Sequence, residues 1–193
     1  GANVLDLPCN LGVGGAVQAG FRYAYENGYE FVVRCDGDGQ HSPDSIKTLM
    51  NAMEKGDADL VIGSRFLGDG VRTRNVVRSL GITGLAIMLS LICRKRVTDP
   101  TSGFQMLNRK LLYLFSCSYP VDYPEPEALA LMRREGYDYV EVPATFRERR
   151  AGRSSIHGWG TLYFVFKVFL ALVVDRARTV DQRLSKSNLE GRV

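Results

Sequence analysis

Between residues 12 and 63 the chain alternates helix-period segments with strand-length apolar runs, and few folds accommodate that alternation. Gly12, Gly14 and Gly15 open a helix carrying Val17, Phe21 and Ala24, which Gly28 ends. Phe31-Val32-Val33-Arg34-Cys35 has the length and composition of a buried strand. Ser42-Pro43-Asp44 then starts a second helix, with a capping hydroxyl and an early proline. Ile46, Leu49, Met50 and Met53 follow at i, i+3, i+4 and i+7, Gly56 stops the helix, and Leu60-Val61-Ile62-Gly63 is the next strand. Strand and helix in turn imply βαβ units: an α/β fold with a mostly parallel sheet and flanking helices. Val4-Leu5-Asp6-Leu7, closed by Pro8, reads as one more short strand.

Beyond residue 63 the pattern continues more loosely. Residues 78–94 read as a helix whose centre, 80–93, is apolar. A turn at Asp99-Pro100-Thr101-Ser102-Gly103 leads into a strand-like Phe104-Gln105-Met106-Leu107; residues 125–134 are helical, and Tyr139-Val140-Glu141-Val142 is another strand. Three regions result: a domain over 1–155, an apolar helix over 156–176 and a polar tail over 177–193. The run 161–174 holds one charge, Lys167, and at 14 residues is shorter than the ~20 a bilayer crossing needs. With Trp159 and Tyr163 beside it, an interfacial helix or a core or dimer helix fits better.

Composition excludes several classes. With 45% apolar and 24% charged residues the chain is neither disordered nor a disulfide-dense miniprotein. Cys9, Cys35, Cys93 and Cys117 form no CxxC pair, so they read as reduced thiols of a cytosolic compartment rather than a zinc site. Gly1 leads into a strand-like run, not a signal-peptide pattern. The net charge of +4 is mild, although Arg147, Arg149, Arg150 and Arg153 crowd together. No stacking aromatics interleave with those arginines, so nucleic acid is a poor partner; an anionic small ligand or a membrane surface fits.

In open α/β sheets ligands sit at the carboxyl ends of the strands, and two polar loops lie there. Asp36-Gly37-Asp38-Gly39-Gln40-His41 follows the first strand. Residues i and i+2 of an extended chain face one way, so Asp36 and Asp38 reach toward one point, and Gln40 adds an oxygen at the next same-face position. Carboxylates brought that close repel, which a divalent cation relieves; oxygen donors suit Mg²⁺ or Mn²⁺. An EF-hand is excluded, because its sixth position would be His41 and its twelfth Lys47. Arg65 follows the strand 60–63 on the same edge, where a planar guanidinium can contact a diphosphate; Arg78 and Arg149 are further candidates. Gly12-Val13-Gly14 begins a GxGxxG whose third glycine is Val17, so the dinucleotide fingerprint fails. What remains there is either a helix start whose amides face an anion or glycines placed for close packing. His41 and His157 lack serine or cysteine motifs, and no GxSxG is present, so a nucleophilic triad is excluded.

Five segments in order carry a resemblance: Asn10-Leu11-Gly12-Val13-Gly14-Gly15-Ala16, Asp36 to His41, Gly63-Ser64-Arg65-Phe66, Asp99 to Phe104, and Arg149-Arg150-Ala151-Gly152-Arg153-Ser154-Ser155. Over residues 3–157 the chain resembles a family-2 glycosyltransferase of the GT-A (Rossmann-like) type, of the dolichyl- or polyprenyl-phosphate mannosyltransferase branch. The resemblance implies inverting transfer from a nucleotide-diphospho-sugar to a polyprenyl phosphate, with Mg²⁺ or Mn²⁺ on Asp36, Asp38 and Gln40. It implies that Arg65, Arg78 and Arg149, with Ser154, Gly12 and Gly14, face the donor diphosphate or an acceptor phosphate. A lipid phosphate is already anionic and needs no base, whereas a sugar hydroxyl of a polysaccharide or glycolipid needs a carboxylate. Asp122, Glu125 and Glu127 occupy the segment from which relatives draw acceptor-side acids; Glu125, together with Arg65, is a catalytic candidate. The family's early Pro-x-x-Asn-Glu and Asp-Asp-Gly-Ser motifs do not occur in these residues. The resemblance thus places Gly1 just before the family's third strand and predicts a bare sheet edge, covered by a second copy, or a catalytically inactive binding module. Its implied location is cytoplasmic, peripheral on the membrane face.

Overall fold

The computed structural model describes residues 2–67, 76–147 and 167–170, with side chains from residue 79 onward in the helix that begins at 76. Arg149, Ser154, the side chain of Arg78, most of the apolar run 161–174 and the polar tail lie outside the described residues. The elements are α1 (Gly12–Glu26), β1 (Phe31–Arg34), α2 (Asp44–Met53), β2 (Leu60–Ser64), α3 (Val76–Cys93), β3 (Gln105–Asn108), α4 (Arg109–Cys117), α5 (Pro124–Arg134) and β4 (Tyr139–Pro143). The sheet order is β1-β3-β2-β4. β2 and β4 are parallel, and β3 runs antiparallel to both β1 and β2. Three of the four strands therefore point one way, as the βαβ reading expects, with β3 reversed among them.

The reversal follows from the route of the chain. The Tyr139 hydroxyl, at the start of β4, donates to the carbonyls of Lys95 and Arg96. Further along β4 the Glu141 carboxylate accepts the N–H groups of Thr98 and Asp99 at 2.8–3.0 Å. Residues 95–99 thus climb beside β4 toward its carboxyl end, and β3 has to run back down.

Side-chain alternation sorts β2 between two cores. Leu60 and Ile62 join Phe21 of α1, Leu85 and Leu89 of α3, Leu111 and Phe115 of α4 and Met132 of α5 on one face. Val61 joins Leu49 and Met53 of α2, with Phe104 and Met106, on the other. Both faces of β2 are covered, although β3 makes the sheet a mixed one, with one parallel and two antiparallel pairings. Asn108 caps α4, its Oδ1 accepting the Leu111 N–H at 3.0 Å.

Three local expectations are corrected. Residues 4–7 form no strand; Val4 and Leu5 are exposed, and no strand among the described residues pairs with them. Ser42 does not cap α2 through its hydroxyl, which faces Asp44 instead; Pro43 holds the cap position. Arg109–Cys117 is a helix that the sequence reading passed over, though Asn108 followed by Leu111, Leu112 and Phe115 signals it. In the 156–176 region the described turn 167–170 is helical, with Val168 in the main core and Phe169 and Leu170 exposed. No helix among the described residues is long and apolar enough to cross a membrane.

Candidate active site

The carboxyl ends of β1, β2 and β4 and the start of β3 meet at one end of the sheet. There the loop 36–41 is pinned from both sides. The Arg147 N–H donates to the Gln40 carbonyl at 2.8 Å, and His41 forms a bridge with Phe146. Within the loop Asp38 Oδ1 accepts the Gln40 N–H at 3.0 Å, a turn that Gly39 completes at φ +74°. The His41 ring stacks on Phe104, with centroids 4.8 Å apart, and meets the edge of Phe146. Its Nδ1 accepts the Asp36 N–H at 3.1 Å, which leaves the proton of the neutral ring on Nε2. Burial pushes His41 below the ordinary histidine range, against the pull of Asp36 and Asp38.

Asp36 is the open carboxylate of this loop. Its side chain is 49% exposed, and its ion-pair neighbours, Arg34 Nη2 and His41 Nε2, both lie at 3.9 Å. It rests on Gly103, where a Cβ would lie 3.1 and 3.2 Å from its two oxygens. A half-exposed carboxylate with no cation closer than 3.9 Å among the described residues, in one loop with Asp38 and Gln40, has donor chemistry that suits Mg²⁺ or Mn²⁺. Among the described residues no three His, Cys, Asp or Glu side chains converge into a metal cage of their own. The set fits an ion held by one or two carboxylates and completed by substrate phosphates.

Arg65 stands at the end of β2 as expected, but a carboxylate already engages it. Its Nε and Nη2 donate to the Asp99 carboxylate at 2.8 and 2.6 Å, its backbone N–H adds a third bond at 3.0 Å, and Nη2 also reaches Thr101 Oγ1 at 2.7 Å. The Asp99 side chain is fully buried. Burial disfavours the Arg65 charge, yet the bonds and charge of Asp99, with Asp36 and Glu125 behind them, raise its pKa above the ordinary value. The Asp99-Pro100-Thr101-Ser102-Gly103 turn thus has two tasks: Asp99 and Thr101 fix Arg65, and Gly103 makes room for Asp36.

Glu125, in the first turn of α5, is brought to the same place by a residue that the sequence reading left without a role. Arg34, the last residue of β1, donates from Nη2 to Glu125 Oε1 at 2.5 Å and from Nη1 to the Tyr119 hydroxyl at 3.1 Å. Burial works against its charge, but Tyr119, Glu125 and Asp36 raise its pKa. Burial carries the Tyr119 phenol up to about 12. Gly14 packs nearby: a Cβ would fall 2.2 Å from the Pro120 carbonyl oxygen, so this position requires glycine for close approach. Gly12, at φ +70°, is open, and its N–H is taken by Asn10 Oδ1.

A groove of about 450 Å³ runs between α3 and residues 96–98, lined by Phe66, the residue after Arg65, and by Ile82, Ile87, Leu91, Arg96 and Val97. Leu80, Ile87 and Leu91 are exposed on the same helix.

Residues 1–115 match the profile of glycosyl transferase family 2. The chain belongs to that family. It is a glycosyltransferase, and its α/β fold is the one the resemblance implied. It is 31% identical over 185 residues to the polyprenol monophosphomannose synthase of Mycolicibacterium smegmatis, covering 92% of this chain and 69% of that protein. Identity to the undecaprenyl-phosphate mannosyltransferase of Micrococcus luteus is 34% over 169 residues, 81% of this chain and 65% of the relative. A UDP-N-acetylglucosamine–dolichyl-phosphate N-acetylglucosaminyltransferase of Methanococcus voltae is 31% identical over 173 residues, 86% and 69% of the two chains. The chain spans about two thirds of the length of these relatives.

Proposed function

We propose that this glycosyltransferase moves a sugar, with inversion, from a nucleotide-diphospho-sugar to a polyprenyl phosphate at a cytoplasmic membrane surface. Asp36, Asp38 and Gln40 would hold Mg²⁺ or Mn²⁺. When bound, such an ion supplies the positive charge that a departing nucleoside diphosphate requires. Arg65, Arg78 and Arg149 are proposed contacts for the diphosphate or the acceptor phosphate, with Arg65 kept in one orientation by Asp99.

The observation that carries the acceptor assignment is the apolar groove along α3, whose lining includes Phe66 and Thr98, the sequence neighbours of Arg65 and Asp99. An acceptor with a phosphate head and an isoprenoid tail matches that pairing of charge and apolar surface. The names of the three relatives, each acting on a lipid or its phosphate, support the same class. The ion pair of Glu125 Oε1 with Arg34 accounts for the place of Glu125 in the site without a hydroxyl acceptor. A lipid phosphate attacks the anomeric carbon through an oxygen already ionised, so the chain needs to orient it in line behind the leaving group and exclude water.

The full chain, incubated with Mn²⁺, undecaprenyl phosphate and radiolabelled mannose and N-acetylglucosamine donors, is expected to yield a lipid-soluble product, while undecaprenol gives none. Glu125→Gln separates the acceptor classes. A loss of turnover beyond about 100-fold makes Glu125 a general base and points to a hydroxyl acceptor.

A further inference from the structure

At the end of β1 one cation stands between two carboxylates that differ in their exposure to water. Arg34 is 8% exposed. Its pair with Glu125 is a direct hydrogen bond to a side chain only 20% exposed, whereas the half-exposed Asp36 lies 3.9 Å from the same Nη2. Arg34 Nε is buried without a hydrogen-bond partner among the described residues, so Glu125 and Tyr119 set the position of this guanidinium. Gly103 closes the wedge: its Cβ position lies 3.4 Å from Arg34 Nη2 and against both Asp36 oxygens, so the two groups share one patch of backbone. The cation is thus fixed on its Glu125 side and acts on Asp36 through space.

We infer that Arg34 is a positioning residue that sets the affinity of the acidic loop for a divalent cation: Glu125 anchors its charge, and the anchored charge opposes the ion on Asp36. The inference rests on Asp36 being a cation ligand. Its content is a pair of opposite signs. Removing the Arg34 charge strengthens cation binding. Removing the Glu125 charge weakens it, because Arg34 then faces Asp36 without its counter-charge. A merely structural role would weaken binding in both variants.

The test is Mn²⁺ binding to the full chain, followed by loss of the free-ion electron paramagnetic resonance signal, with folding checked by circular dichroism. Arg34→Gln is expected to bind Mn²⁺ about fivefold more tightly than wild type, the scale of one unit charge at about 4 Å in a water-like medium. Arg34→Lys, which keeps the charge, stays within about twofold, and Glu125→Gln binds about fivefold more weakly. Unchanged or weaker binding by Arg34→Gln, or unchanged or tighter binding by Glu125→Gln, overturns the inference. Should Arg34→Gln fail to fold, Arg34→Met supplies the uncharged variant, and tighter Mn²⁺ binding is again the expected result and unchanged or weaker binding the one that overturns it. A wild-type chain that takes up no Mn²⁺ at millimolar concentration removes the cation reading and the inference with it, an outcome distinct from a wrong sign.

Discussion

At the amino ends of β2 and β4 the carboxylates are saturated, while at the opposite end of the sheet Asp36 is not. Asp138 takes Lys95 Nζ at 2.9 Å, Arg133 Nη1 at 2.6 Å and the Tyr139 N–H at 2.9 Å. Beside it Asp59 accepts from Asn108 Nδ2 at 2.8 Å and from the Asp138 N–H at 3.0 Å. This cluster ties the end of α3, the start of α4, the end of α5 and the start of β4 together, and its oxygens are committed. At the carboxyl ends Asp99 is equally committed, to Arg65, but the cation beside Asp36, Arg34 Nη2, stands 3.9 Å away, as does Nε2 of the neutral His41 ring. A carboxylate with its donors in place holds a fold together; one left short of donors beside a second carboxylate can take an ion. The same residue types thus meet different surroundings at the two ends.

Substitutions at the two ends should separate these roles. Asp99→Ala strips the part-buried Arg65 of its fully buried partner and is expected to cost about 3 kcal/mol in urea unfolding. A loss below about 1 kcal/mol would mean that Arg65 is not locked by Asp99 in solution. Asp138→Asn acts on a more exposed pair and should cost about 1 kcal/mol or less. The Asp138 carboxyl is held below its ordinary range: burial raises it, but the Lys95 bond, the Tyr139 N–H and Arg133 together lower it further. A depressed carboxylate contributes its stability above the unfolded value, near pH 4, and loses it as the pH falls through the folded value. The gap between wild type and Asp138→Asn should therefore be present at neutral pH and close on acidification below about pH 4. A gap that persists at pH 2 would remove the ion pair as its cause. Asp36→Asn should be smallest in stability, within about 0.5 kcal/mol of wild type, because no close bond is lost.

Much of the framework was legible because it is written in local periodicity. The spacing of Ile46, Leu49, Met50 and Met53 gave α2, and the apolar runs at 31–35 and 60–63 gave β1 and β2. The direction of β3 was not legible, since it depends on residues 95–99 climbing beside β4, a path set by Glu141 and Tyr139 more than 40 positions away. The acidic loop was readable from its own six residues. Arg34 was not: inside Phe31-Val32-Val33-Arg34-Cys35 nothing local marks its role, and its partner Glu125 lies 91 positions on. Arg65 was correctly placed at a strand end, but its engagement by Asp99 joins residues 34 apart and shows only in the fold. Pairwise electrostatics across such separations carries no local pattern, so charged residues can be placed from sequence while their partners cannot.

The central claim is that Asp36 recruits a divalent ion that holds the nucleoside diphosphate. Calorimetric titration of GDP and UDP into the full chain, with Mn²⁺ and again with excess chelator, tests it most directly when run beside Asp36→Asn. The account predicts Mn²⁺-dependent binding of at least one nucleotide to wild type, weakened tenfold or more (about 1.4 kcal/mol) by chelation and by the substitution alike. Equal affinity in all three conditions would contradict it.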